Sequence, residues 1–173
     1  MQRTKWTERK FSFDFPEGWM PNILERLRGT SARISALTSA LTEDEAAGKS
    51  NGKWSLKEHI GHLGDLEDLH EGRIEDLIAR KDTLRGADMS NAKTDTAGHD
   101  HRSISQLIRD FTEKRNRLVL RFEQLDDTTQ RFHAKHPRLQ KPMRPIDIAF
   151  FTAEHDDHHL ATMREILKNT HKT

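Results

Sequence analysis

The run His155-Asp156-Asp157-His158-His159 places three histidines within five residues near the C-terminal end of the chain. On an α-helix, His155 and His159 lie one turn apart on the same face, so their imidazoles can converge on one ion. Imidazole binds zinc, nickel, cobalt and copper, and two such ligands leave a first-row metal under-coordinated. A further nitrogen or carboxylate must therefore come from another element. With no cysteine in the chain, thiolate sites, disulfides and a cysteine nucleophile are excluded, and histidine and carboxylate are the strong ligands left. A second explanation stays open: a chain with 11 histidines forms some i,i+4 pairs by chance, and carboxylates or water can also satisfy buried imidazoles.

The elements that must carry these residues can be read from periodicity. At 173 residues the chain suits one domain with a proper core. Residues 1–20, with Trp6, Trp19 and the alternating Phe11, Phe13 and Phe15, read as an extended arm laid against that domain, which takes up residues 21–173. Ile23, Leu24, Leu27, Ile34, Leu37 and Leu41 recur at steps of three and four and predict a first helix from Pro21 to about Thr42. Residues 43–54, with Gly48, Asn51 and Gly52, form a connection. Ser55 and Glu58 make a capping box that opens a second helix, which runs to about Arg80. Residues 81–102 read as a long polar loop, functional or mobile at that length. A second capping box, Ser103 with Gln106, opens a third helix to about Leu125. Residues 128–144 read as a basic loop whose charge is solvated. Pro145 suits the first turn of a fourth helix ending near Lys168. Four such helices predict an all-α fold, an antiparallel four-helix bundle with an extended N-terminal arm and long connecting loops.

On the fourth helix His155 and His159 fall on the apolar arc with Ile148, Thr152 and Met163, whereas His158 falls off it, toward solvent. The second helix offers His59, His62 and His70 as further ligands. Phase puts His59 nearer the centre of its arc and His62 at the margin, where a ligand leaves room for substrate; periodicity does not decide between them. Asp156 lies near the arc and could orient an imidazole or take a proton, or be a salt-bridged carboxylate. Glu58 is explained by capping, and Trp54 by packing at the helix start. The H-D-x-x-H form of the His155 run differs from the zincin H-E-x-x-H, and this helical chain has no strand to bind a peptide. Glu67-Asp68-Leu69-His70 is a di-iron type step without a second one on another helix.

The W-x-x-x-E-x-x-x-H pattern of Trp54, Glu58 and His62, followed far downstream by His155, His158 and His159, resembles the DinB superfamily of DinB/YfiT-like metalloenzymes. Residues 11–28 and the His136-Pro137 stretch are also similar to its members. The resemblance implies a four-helix bundle holding a divalent metal, nickel or zinc, on His62, His155 and His159. It also implies frequent homodimers and, for some members, transfer or isomerisation with a low-molecular-weight thiol. Three neutral imidazoles leave at least one open position, which is catalytic in character. The chain is thus expected to be a metal-dependent enzyme that transfers a small thiol cosubstrate to a small electrophile. Hydrolysis of a small substrate and a non-catalytic binding or assembly module are the alternatives. A formal charge of +1 calls for no nucleic-acid partner, and no apolar run is long enough for a membrane span, so a cytoplasmic protein with a small-molecule substrate is expected.

Overall fold

The computed structural model describes residues 3–49 and 52–170. Asn51 of the first connection and the outermost ends of the arm and the domain lie outside the described residues. Seven helices follow in order: α1 (Met20–Thr38), α2 (Glu43–Ala47), α3 (Leu56–Ile78), α4 (Ala92–Thr96), α5 (Ile104–Glu123), α6 (Asp127–Gln130) and α7 (Pro145–Thr170). A two-residue hairpin, β1 (Ala134–Lys135) and β2 (Pro142–Met143), pairs Ala134 with Met143 ahead of α7. Among the described residues, no helix is long and apolar enough to cross a membrane.

The four long helices are those expected, with local differences that have local causes. α1 stops at Thr38 rather than near Thr42, because Thr42 caps α2: its hydroxyl accepts from the Glu45 amide while the Glu45 side chain accepts from the Thr42 amide. The capping boxes at Ser55–Glu58 and Ser103–Gln106 are both formed. α3 ends at Ile78, where Arg80 turns left-handed at φ 56°. The region after it is not bare loop, since it carries α4 and a 3-10 turn at His99–His101.

Side-chain pairings set the helix directions. Arg26 reaches Glu154 and Arg33 reaches Asp157, so α1 and α7 run the same way. Glu67 pairs with Arg115 and Glu71 with Arg117, so α3 and α5 also run together. His59 beside His159 and His70 beside Thr152 make α3 antiparallel to α7. The bundle is therefore two parallel pairs packed antiparallel to each other. A parallel neighbour has to be reached by a crossover that runs the length of the bundle, about 35 Å for the 23 residues of α3. This explains the long connection between α3 and α5, which returns along α3: Arg85 contacts Asp76, Lys93 contacts Asp68 and Ser55 donates to Asp100.

The apolar core falls into two clusters. One joins Leu27, Ile74, Leu118, Phe122 and Ile148, and the other joins Ile34, Ile60, Phe111, Leu160 and Met163. Between them lies a polar layer. Arg115, Glu67 and Asp156 are each 2% exposed or less, and Thr30 donates to Asp156 at 2.8 Å.

Candidate metal centre

The antiparallel seam between α3 and α7 brings His62, His155 and His159 together, each offering one ring nitrogen, all within 4.8 Å of one another. Nε2 of His155 and Nε2 of His159 are 3.2 Å apart. Two nitrogens bound at 2.0–2.1 Å to one tetrahedral ion stand about 3.3 Å apart, so the pair is spaced for a shared cation. Nδ1 of His155 is buried without a hydrogen-bond partner. Three buried imidazoles whose ring nitrogens converge this closely form a donor set that fits a divalent ion.

Burial and mutual repulsion keep these rings neutral. Burial lowers His62 to about 4, and it pushes His155 and His159 well below 6.5, with their histidine neighbours adding to the effect. Neutral imidazole is the ligating form. A base whose folded pKa is depressed binds its proton more readily when unfolded, so its stabilising contribution is complete above 6.5 and is lost as pH falls below it. In chelator, the urea midpoint is therefore expected to fall from pH 7.5 to pH 5. The loss should reach about 1.4 kcal/mol per unit for each buried imidazole. A midpoint flat over that range would show that the rings are not held neutral by the fold.

His62 is oriented by the crossover. Thr94 Oγ1 donates its one proton to Asp65 at 3.0 Å, so toward His62 Nδ1, also at 3.0 Å, it accepts. His62 thus carries its proton on Nδ1 and has its Nε2 lone pair free. Asp65 also accepts from His99 Nε2 at 2.8 Å. Burial pushes the Asp65 carboxyl up, yet the bonds from His99 and Thr94 and the Lys93 charge hold it below its ordinary value. Gly61 permits this layer, because a Cβ there would lie 2.3 Å from the His99 ring. Thr94→Val is expected to weaken metal binding about 10- to 100-fold with the fold intact, read by competition with a chromophoric chelator.

His59 also reaches the cluster, through Nδ1 at 2.8 Å from Nδ1 of His159. With an ion on His159 Nε2, the ring proton would sit on Nδ1 and be donated to His59. Asp156 is turned elsewhere: it accepts from both Arg115 and Thr30, and no hydrogen bond links it to an imidazole among the described residues. It is the salt-bridged alternative that describes it.

Other residues gain a place at the site that the sequence reading did not give them. The arm carries Trp6 to 4.9 Å from the His155 ring and 5.7 Å from His158, so His158 is half-buried rather than turned to solvent. Trp54 packs 4.7 Å from the His62 ring and its indole N–H donates to Asp95 at 2.8 Å. A cavity of about 390 Å³ opens beside the histidines, and His136 and Arg138 of the basic connection help to line it rather than lying in solvent. Trp54 is the first residue of the W-x-x-x-E-x-x-x-H pattern, so that motif held a signal for it. Nothing in the periodicity pointed to Trp6, Thr94 or Arg138.

Fold and site together define a class: a four-helix bundle whose α3–α7 seam carries three imidazoles able to hold a metal ion. The chain belongs to the DinB superfamily, whose family model matches residues 26–163. Its structure is similar to that of YfiT from Bacillus subtilis, described as a probable metal-dependent hydrolase with an unusual four-helix bundle topology. That likeness has a TM-score of 0.80 at 16% identity and covers 94% of each chain. It is also similar to the mycothiol-dependent maleylpyruvate isomerase, with a TM-score of 0.67 at 11% identity, covering 86% of this chain and 60% of that one. No curated protein matches the sequence.

Proposed function

We propose that this protein is a mononuclear metalloenzyme that transfers a low-molecular-weight thiol to a small electrophile, with His62, His155 and His159 holding zinc or nickel. The observation that carries the reading is the convergence of three neutral imidazoles at a cavity of ligand size, with no fourth protein ligand grouped with them among the described residues. A divalent ion in such a site supplies Lewis acidity, which lowers the pKa of a thiol or water that reaches its open position. The chain has no cysteine, so a thiol nucleophile has to arrive as a cosubstrate.

The protein's own contribution is to orient and to exclude water. The Thr94–Asp65 pair fixes the proton of His62 on Nδ1, and with the ion on His159 Nε2 the His59 ring would accept from His159 Nδ1. Trp54 and Trp6 wall the imidazoles, which keeps charged groups at the site poorly solvated and strengthens their interactions. The thiol dependence of the isomerase supports thiol transfer. Hydrolysis of a small substrate is the second reading, supported by the likeness to YfiT. The protein is proposed to act as a cytoplasmic homodimer on a small molecule without nucleic-acid or membrane partners, and light scattering checks the dimer.

The test is elemental analysis of untagged protein purified without a metal-affinity column, followed by a screen of thiols and electrophiles with and without the metal. Near-stoichiometric zinc or nickel and metal-dependent loss of thiol are expected. Metal-dependent turnover without thiol would move the reading to hydrolysis, and bound metal with no turnover would favour a binding module. A folded protein that neither carries nor takes up metal would end the enzyme reading.

A further inference from the structure

The cavity beside the imidazoles is also lined by two residues that carry buried hydrogen-bond donors with nothing to donate to. His136 is 3% exposed, and its Nδ1 accepts from the backbone amides of Arg138 and Leu139, both at 3.2 Å. The ring proton is therefore on Nε2, and Nε2 is buried without a partner. Nη2 of Arg138, two residues on, is also buried and unpaired. The Arg138 guanidinium lies 5.9 Å from the Trp6 ring centroid and 5.8 Å from that of Phe151, which holds its plane in place. Buried donors are nearly always satisfied, so two orphans on one wall call for an acceptor from outside.

The charge of the wall points the same way. Arg73 also lines the cavity, is 3% exposed, and spends its Nε on the Arg85 carbonyl at 3.2 Å. Neither Arg73 nor Arg138 makes an ion pair among the described residues. The carboxylate whose charge acts on Arg73, Asp76, is already held by Lys81 and Arg85. Burial depresses both guanidiniums, and Arg73, lowered to about 10, is also repelled by Arg138. His136 stays neutral for the same reasons, burial first and then the two arginines, so it acts as a donor and not as a second cation.

We propose that this wall is a carboxylate subsite, in which His136 Nε2–H and the Arg138 guanidinium hold the two oxygens of a small organic acid while its other end reaches the imidazoles. One donor from His136 and one from Arg138 match the two oxygens of a carboxylate, and the apolar Trp6 and Phe151 rings beside the guanidinium suit an organic acid better than inorganic phosphate. The placement of the reacting end rests on the metalloenzyme reading, whereas the anion site itself needs no metal. The carboxylate can belong to the electrophile or to the thiol cosubstrate.

Isothermal titration of the full chain, as purified and after chelation, separates these cases. The probes are butyrate against butyramide, N-acetylcysteine against its primary amide, and inorganic phosphate. The acid is expected to bind at least about tenfold tighter than its amide, because only the acid forms charge-assisted hydrogen bonds to the wall. That preference should vanish in Arg138→Gln at unchanged metal content, and persist in part in Arg138→Lys. Discrimination within the butyrate pair assigns the carboxylate to the electrophile, and discrimination within the thiol pair alone assigns it to the cosubstrate. Equal binding of acid and amide by the unmutated protein would overturn the subsite, as would a preference that survives in Arg138→Gln. Phosphate binding as tightly as the acids would overturn the carboxylate assignment. Discrimination that survives in protein found to carry no metal would keep the subsite while the enzyme reading fell.

Discussion

Alanine at His62, His155 or His159 is expected to strip the purified protein of its transition metal and reduce metal-dependent turnover to background, with the helical spectrum unchanged. Each ring supplies one nitrogen to a cluster no wider than 4.8 Å, so deletion leaves two ligands where a first-row ion needs at least three from the protein. The loss should exceed the roughly 10- to 100-fold that follows from changes one shell out. His59→Ala is the discriminating control. His59 sits 2.8 Å from His159, but on the Nδ1 side, away from the contact with His155. Its removal should weaken binding without abolishing it. Elemental analysis of all four variants decides the matter: metal retained in His62→Ala but lost in His59→Ala would reverse the assignment of the third ligand.

Much of this centre was legible because it is local. The i,i+4 spacing of His155 and His159 predicts a shared face from helical geometry alone, and capping boxes marked the starts of α3 and α5. The choice between His59 and His62 was not legible, since periodicity locates an apolar stripe but not the neighbour it packs on. Phase placed His59 more centrally, and it does enter the cluster, as a contact of His159. The directions of the helices escaped for the same reason. Two parallel pairs and two antiparallel pairs bury the same stripes, and only the length of the α3–α5 crossover hinted at a parallel neighbour. The parts of the site that arrive on irregular chain left no periodic trace: Trp6 from the arm, Thr94 and His99 from the crossover, His136 and Arg138 beside the hairpin. Their roles depend on contacts across about 30 to 150 residues of sequence, which no local pattern encodes.

Replacing Arg115 with methionine is expected to destabilise the protein more than any single change at the histidines. Arg115 lies between Glu67 and Asp156 in the polar layer that divides the two apolar clusters, and all three side chains are almost completely buried. Burial works against the guanidinium, but the two carboxylates outweigh it and hold Arg115 protonated. Removing it leaves two carboxylates facing each other in the core, with Thr30 as the remaining donor to Asp156. Breaking a buried ion pair from one side costs about 3–5 kcal/mol, which for a domain of this size is a large part of its stability. The cost belongs to the stranded charges rather than to the pair itself. Combining Arg115→Met with Glu67→Gln and Asp156→Asn should therefore recover much of the loss, because no unpaired charge is then left in the core. Urea unfolding of the single and triple variants at pH 7 reads both quantities. A single variant within about 1 kcal/mol of the parent would place it among ordinary substitutions and remove Arg115 as the residue that holds the layer together. Because Asp156 sits between His155 and His159 on the last helix, a layer held by Arg115 also fixes the rotation of α7. That rotation is what turns the two imidazoles toward α3, so the buried ion triad acts on the histidine cluster by positioning a helix and not by touching the site.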